Sequence, residues 1–264
     1  MTSQRITVER QGAVAHLGIN RPEAGNAVMG EDLIALTAAV TAAQRDPEIR
    51  VIVITGSGTR FFCTGSDITE LSGGMPDIGV HLGKWHQLVD CIECSEKPVI
   101  AALNGLAAGG GLEIALACQR RIAADSARVS LPELKVGLFP AAGGVRKLTR
   151  LIGAGRALDM VLGGHAWTAA DARALGIVDD VVPAAELATA VETLATRLAT
   201  LEPNAVRATL VCVRTAALDV DTNELEVSLL RECYANPRNR EALQAFLARP
   251  KTASATRSTP VSTP

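Results

Sequence analysis

Aromatic residues are scarce: one Tyr, two Trp and four Phe in 264 positions. So few rings cannot build the stacking platforms that hold single-stranded bases, and they disfavour ring-lined sugar grooves as well. An excess of one charge is also missing. Lys plus Arg number 26 and Asp plus Glu number 28, a net of −2, so no basic face marks the chain for nucleic acid. The 6 cysteines are too few and too scattered for a secreted disulfide scaffold. Cys91 and Cys94 form a single C-x-x-C, and His16, His81, His86 and His165 stand at no zinc-ligand spacing from it, so no metal site is expected. Residues 1–20 lack a basic start followed by an apolar run and do not read as a signal peptide. The one segment as long as a membrane span, residues 98–118, is broken by Asn104-Gly105, by three consecutive glycines and by Glu113. A buried strand, a turn and a buried helix explain it better, and a soluble cytoplasmic protein is the expectation.

What is present is aliphatic. Hydrophobic residues make up 48% of the chain, so its core must be Ala, Val, Leu and Ile. Residues 6–10 and 13–19 read as short strands turning at Gln11-Gly12. Residues 51–55 (VIVIT) and 99–103 (VIAAL) are almost uniformly apolar, as strands covered on both faces are, and 121–124 and 177–182 are further candidates. Helical spacing marks 31–43, 78–91, 112–117, 144–151, 155–162 and 169–175. This alternation predicts an α/β layered body. From residue 184 the strand signals stop, and 184–200, 203–218, 223–235 and 238–247 read as consecutive helices. The expected organisation is an α/β core over 1–200, a helical region over 201–251 and a disordered Thr/Ser/Ala/Pro tail over 252–264.

A glycine-bearing loop follows each of the two most apolar strands. Gly56-Ser57-Gly58 leads into Cys63-Thr64-Gly65-Ser66-Asp67-Ile68, and Asn104-Gly105 leads into Gly109-Gly110-Gly111-Leu112-Glu113. Glycine lets backbone approach a ligand closely, and a glycine turn that opens a helix presents unpaired N–H groups to an anion. Glu113 falls in the first turn of that helix, and Glu133 follows Pro132 at another expected helix start. Each acid alone also fits a favourable charge at a helix N-terminus. A dinucleotide-binding reading of Gly56-Ser57-Gly58 fails, because the third glycine of G-x-G-x-x-G would fall at Phe61.

In order and spacing, several segments together resemble the enoyl-CoA hydratase/isomerase, or crotonase, family. They are Asn20-Arg21-Pro22-Glu23-Ala24 with Asn26-Ala27, the stretch from Phe62 to Ile68, Asn104-Gly105 through Glu113, Pro132-Glu133 with Gly137-Leu138-Phe139-Pro140, Gly143-Gly144, and residues 170–182. The resemblance spans residues 6–251. It implies a spiral core of ββα units with a C-terminal helical trimerisation region, and chemistry on acyl thioesters of coenzyme A.

The implied site has the backbone N–H groups of Ser66 and Gly110 as an oxyanion hole for the thioester carbonyl. Glu113 would activate water and Glu133 would handle the proton at the α-carbon. Both acids being present favours hydration of a trans-2-enoyl-CoA over isomerisation, hydrolysis or decarboxylation, or a non-catalytic acyl-CoA binder. Coenzyme A is implied to lie near Ala24, Asp67 and Ile68 and to be met by Lys251. An acyl pocket is implied between Met75, Ile78, Leu82 and Trp85 on one side and Leu138 and Phe139 on the other. No separate cofactor is implied, because coenzyme A belongs to the substrate. A homotrimer or dimer of trimers is implied for the assembly. The chain departs from the family's usual residues at Ser66, commonly Ala or Gly, and at Gly25, Gln119 and Ala141.

Overall fold

The computed structural model describes residues 4–67, 69–70 and 78–216, together with 228, 232, 236–238 and 241. Ile68, Met75, Lys251, the side chain of Ile78, the two last expected helices as units and the tail lie outside the described residues.

Strands β1 (Ile6–Gln11) and β2 (Val14–Ile19) form an antiparallel hairpin through Gly12, whose φ of 58° suits glycine. From β2 the sheet runs parallel through β3 (Val51–Gly56), β5 (Val99–Leu103), β7 (Arg120–Ala124) and β10 (Asp180–Val182), in the order β1-β2-β3-β5-β7-β10. Every residue of β5 is buried and β3 is nearly so, which is why both read as unbroken apolar runs. The last strand is shorter than expected. Ile177 and Val178 are buried, but their N–H groups turn to the carbonyl of Ala172 instead of joining a ladder.

A second sheet was not expected from the sequence. It contains β4 (Phe61–Cys63), β6 (Leu106–Ala108), β8 (Arg128–Ser130) and β9 (Trp167–Thr168) in that order. Its first three strands are parallel, and β9 closes it antiparallel. Strands of two or three residues are too short to show a period.

Helices delimited within the described residues are α1 (Gly30–Arg45), α2 (Ile78–Glu93), α3 (Gly110–Ala117), α4 (Gly144–Ile152), α5 (Ala154–Gly163), α6 (Ala169–Ala174), α7 (Leu187–Ala199) and α8 (Pro203–Ala216). Helix α7 covers β3, β5 and β7, while α1 packs on α2 and α2 on α3. Among the described residues no helix is long and apolar enough to cross a membrane.

Two asparagines weld the sheets together. Asn26 Nδ2 donates to the carbonyls of Ser57 (3.0 Å) and Phe61 (2.7 Å), and its Oδ1 accepts the Arg21 N–H at 2.9 Å. Asn104 Nδ2 donates to the carbonyls of Gly58 (2.8 Å) and Phe61 (3.1 Å), while its Oδ1 accepts the Gly56 N–H at 3.1 Å. The carbonyls of Ser57 and Gly58 in the loop and of Phe61 at the start of β4 are thereby satisfied, and the lead-in to β4 is held against the end of β3.

Candidate active site

Parallel pairing of β4, β6 and β8 brings their C-terminal ends to one edge, the usual place for a site in parallel sheets. Ser66 follows β4, Gly110 follows β6 and Glu133 follows β8. The first two loops touch: a Cβ added to Gly65, whose φ is 91°, would lie 2.9 Å from the Gly110 nitrogen.

Ser66 forms a parallel bridge with Val28. The bonds of that bridge run from Val28 N–H to Gly65 O and from Asp67 N–H to Val28 O, both at 2.9 Å. Residue 66 therefore turns its own N–H to the other side. Gly110 opens α3, and a helix leaves its first amides without intrahelical acceptors. Among the described residues neither the Ser66 N–H nor the Gly110 N–H donates to a protein acceptor. The structure thus brings the two expected oxyanion loops together at the positive end of a helix.

Three different contacts account for the glycine run. Gly109 has a φ of 55°, and a Cβ there would stand 3.0 Å from Glu133 Oε1. A Cβ on Gly110 would lie 2.3 Å from Trp85 Cη2, and one on Gly111 would lie 1.9 Å from the Cys63 carbonyl oxygen.

Glu113, on the first turn of α3, is only 3% exposed. Its Oε1 accepts the N–H of Gly144, the first residue of α4, at 2.8 Å. Burial raises its proton affinity above the ordinary glutamate value, against the opposing pull of the Gly144 and Ala142 N–H groups and the Lys147 charge. Lys147 is itself buried and paired with Glu93. Glu133 lies in the turn Glu133–Val136 after β8. Burial, with the negative charge of Glu113 adding to it, pushes its carboxyl up to about 7. Its Oε2 is buried with no hydrogen-bond partner among the described residues. The two acids are therefore unlike: one is held by the amides of another loop and faces a cation, while the other has only its own backbone N–H and the charge of its neighbour.

The remaining expected site residues are less uniform. Asp67 is buried and its carboxylate is occupied: Thr69 donates to it through both Oγ1 (2.7 Å) and N–H (2.8 Å), and Arg21 pairs with it. The Thr69 hydroxyl and the Arg21 guanidinium hold it down at about 2. Ala24 ends the turn Pro22–Ala24, which directly follows Arg21. Leu82 packs against the core. Leu138 and Phe139 are 45% and 69% exposed. Trp85 is buried, and its Nε1 donates to Ser66 Oγ at 2.9 Å. Of the departures, Gln119 accepts the Val99 N–H through Oε1 at 2.9 Å, and the Ala141 carbonyl accepts from His86 Nε2 at 2.9 Å.

His81 was not among the expected site residues. It is buried with its Nε2 3.2 Å from Ser66 Oγ. The available signal was its spacing: His81 and Trp85 are four residues apart and share one face of α2. Gly144 appeared only as part of a motif, and its bond to Glu113 crosses 31 residues of sequence.

The family model for enoyl-CoA hydratase/isomerase matches residues 9–254. The crotonyl-CoA hydratase of Syntrophomonas wolfei is 35% identical over 254 residues, covering 95% of this chain and 98% of that protein. The short-chain-enoyl-CoA hydratase of Clostridium acetobutylicum is 33% identical over 254 residues, covering 95% and 97%. A crystal structure of enoyl-CoA hydratase from Bacillus anthracis superposes with a TM-score of 0.85 at 33% identity, covering 92% of this chain and 96% of that one. With the matched model spanning most of its length and the fold shared, the chain belongs to the enoyl-CoA hydratase/isomerase family.

Proposed function

We propose that the protein is an enoyl-CoA hydratase, adding water reversibly across the double bond of a trans-2-enoyl-CoA thioester. The observation that carries this reading is the pair of unlike carboxylates, Glu113 and Glu133, beside two amides that meet no protein acceptor among the described residues. The thioester oxygen sits between the N–H groups of Ser66 and Gly110. Fixed donors of this kind each contribute about 3–4 kcal/mol in enzymes where they have been removed singly. Glu113, as carboxylate, takes a proton from water while the oxygen of that water bonds to C3. The double-bond electrons move to the carbonyl oxygen, and the enolate so formed takes a proton at C2 from neutral Glu133. A 3-hydroxyacyl-CoA results, and return of the proton from Glu113 to Glu133 resets the pair.

Coenzyme A enters with the substrate, and no separate cofactor takes part. Ala24, the backbone at Asp67 and Ile68, and Lys251 are its proposed contacts. The Asp67 carboxylate, engaged by Arg21 and Thr69, shapes the loop instead of meeting the ligand. Met75, Ile78, Leu82, Trp85, Leu138 and Phe139 are the proposed acyl surroundings. A homotrimer or dimer of trimers, working in the cytoplasm, is the proposed assembly. It is supported by the exposed apolar side chains of Val136, Phe139, Val145, Leu158 and Leu162, which a free monomer would leave wet.

The test is turnover of a short enoyl-CoA, followed as loss of the conjugated thioester absorbance and as a product one water heavier. Glu113→Gln and Glu133→Gln are each expected to slow it by about 10²–10⁴-fold. Wild-type rates in both variants would sink the two-acid mechanism, and a product of unchanged mass would point to isomerisation.

A further inference from the structure

We propose that Trp85 is a positioning residue for the oxyanion hole, a single side chain of α2 that holds both of its lips. The inference rests on the role proposed above for the Ser66 and Gly110 amides. On one side the Trp85 indole N–H donates to Ser66 Oγ at 2.9 Å. On the other, the far edge of the ring lies over Gly110, so that a Cβ on Gly110 would be 2.3 Å from Cη2, 2.7 Å from Cζ2 and 2.8 Å from Cζ3. The two loops come from different strands and from positions 44 residues apart in sequence; the pairing of β4 with β6 brings them side by side but leaves the orientation of their tips to other contacts. A rigid, buried bicycle touching both supplies such a contact.

The Ser66 hydroxyl is the joint in this clamp. Indole nitrogen can only donate, so Ser66 Oγ accepts from Trp85 and has one proton of its own. His81 Nε2 stands 3.2 Å from the same oxygen, one turn before Trp85 on α2. Through Nε2, accepting from the Ser66 hydroxyl or donating to it according to the ring tautomer, His81 completes the chain from Trp85 through Ser66. The hydroxyl of Ser66, absent from an Ala or Gly at that position, thereby gains a function: it ties the first oxyanion loop to α2. None of these three side-chain groups needs to touch the reacting atoms. Their effect is on where the Ser66 N–H points relative to the Gly110 N–H, and misplacement of such donors weakens the transition state more than the ground state.

The test uses Ser66→Ala and Trp85→Phe, alone and together, in the full-length protein. Each single variant is expected to lower kcat about fivefold to tenfold, with KM changed by less than about twofold in Ser66→Ala, where no side chain of the acyl surroundings is altered. Because both remove the same bond, the double variant is expected to be no slower than the slower single one. A readout independent of catalysis is the ¹⁵N-indole spectrum, which has one signal each from Trp85 and Trp167, assigned with Trp167→Phe. Ser66→Ala is expected to move the Trp85 signal towards that of an unbonded indole and leave Trp167 in place. Multiplying effects in the double variant, unchanged kcat in Ser66→Ala, or a Trp85 signal indifferent to Ser66→Ala would each overturn the clamp. If Trp85→Phe does not fold, the kcat and spectrum of Ser66→Ala decide alone. A wild-type protein without hydratase turnover, but with the Trp85 signal shifted by Ser66→Ala, would instead overturn the proposed reaction and keep the bond.

Discussion

Glu113 Oε1 and the Gly144 nitrogen are 2.8 Å apart, and a Cβ on Gly144 would lie at the same 2.8 Å from that oxygen. The contact leaves room for a hydrogen atom at position 144 and for nothing larger. Gly144→Ala is therefore expected to displace the Glu113 carboxylate while suiting the helix it begins. Activity should fall by at least about tenfold, since small displacements of a catalytic base are costly, while the thermal midpoint moves by only a few degrees. Steady-state kinetics beside a melting curve checks the split.

The buried carboxyl of Glu133 sets the alkaline side of the pH profile. Burial and the Glu113 charge lift it from 4.5 to about 7, so hydration, which needs the neutral acid, should decline as pH rises through about 7. Glu133→Gln should remove that limb from whatever rate survives.

Stability carries the same signature with a defined sign. Between the ordinary glutamate range and about 7 the folded protein holds a proton that the unfolded chain has released, so stability is lost as pH rises through this window. Glu133→Gln should thus stabilise the protein above it, by about 1 kcal/mol once solvent reaching the group is allowed for. Below about pH 4 the variant and parent should unfold alike. Urea titrations on both sides of the window measure the difference.

Glycine substitutions should separate by what the new Cβ meets. At Gly111 it would meet the Cys63 carbonyl oxygen at 1.9 Å, main chain against main chain, where neither side can swing away. Gly111→Ala is expected to cost about 3 kcal/mol or more and to lower soluble yield. Gly155, inside α5 with nothing within 4 Å of an added Cβ, is the control. Gly155→Ala should stabilise by about 0.5–1 kcal/mol.

The Asp67 ion pair behaves oppositely to Glu133. Thr69 and Arg21 keep its carboxyl at about 2, below the ordinary 3.8, so its contribution is present above the ordinary value and lost as pH falls towards about 2. Asp67→Asn should lower the thermal midpoint at neutral pH by a few degrees. The gap should close in acid, as paired melting curves at the two pH values would reveal.

Much of the first sheet was legible, and for one reason. Strands β3 and β5 are covered on both faces, so covering leaves an uninterrupted aliphatic run that composition alone exposes. Helices α2 and α4 were placed within a residue or two by apolar spacing. The second sheet was illegible because β4, β6 and β8 have three residues each and β9 has two. Within the site, Glu113, Glu133 and the glycine loops stood out by residue type, whereas His81 did not. A histidine on a helix face reads the same whether its nitrogen meets a serine or solvent.

Residue chemistry along the chain determined which groups are on hand: glycines able to bare an amide at a helix start, two acids near such starts, and aliphatic strands to bury between layers. Tertiary structure alone decided which of them meet. Ser66, Gly110 and Glu133 share one edge because β4, β6 and β8 pair in parallel register, and registers between distant short strands leave no trace in local composition. The unlike character of the acids is likewise a matter of surroundings. A glutamate titrates according to the water it has lost and the amides it has found, here Gly144 for Glu113 and, among the described residues, none for Glu133 Oε2, and only folding brings those neighbours to it.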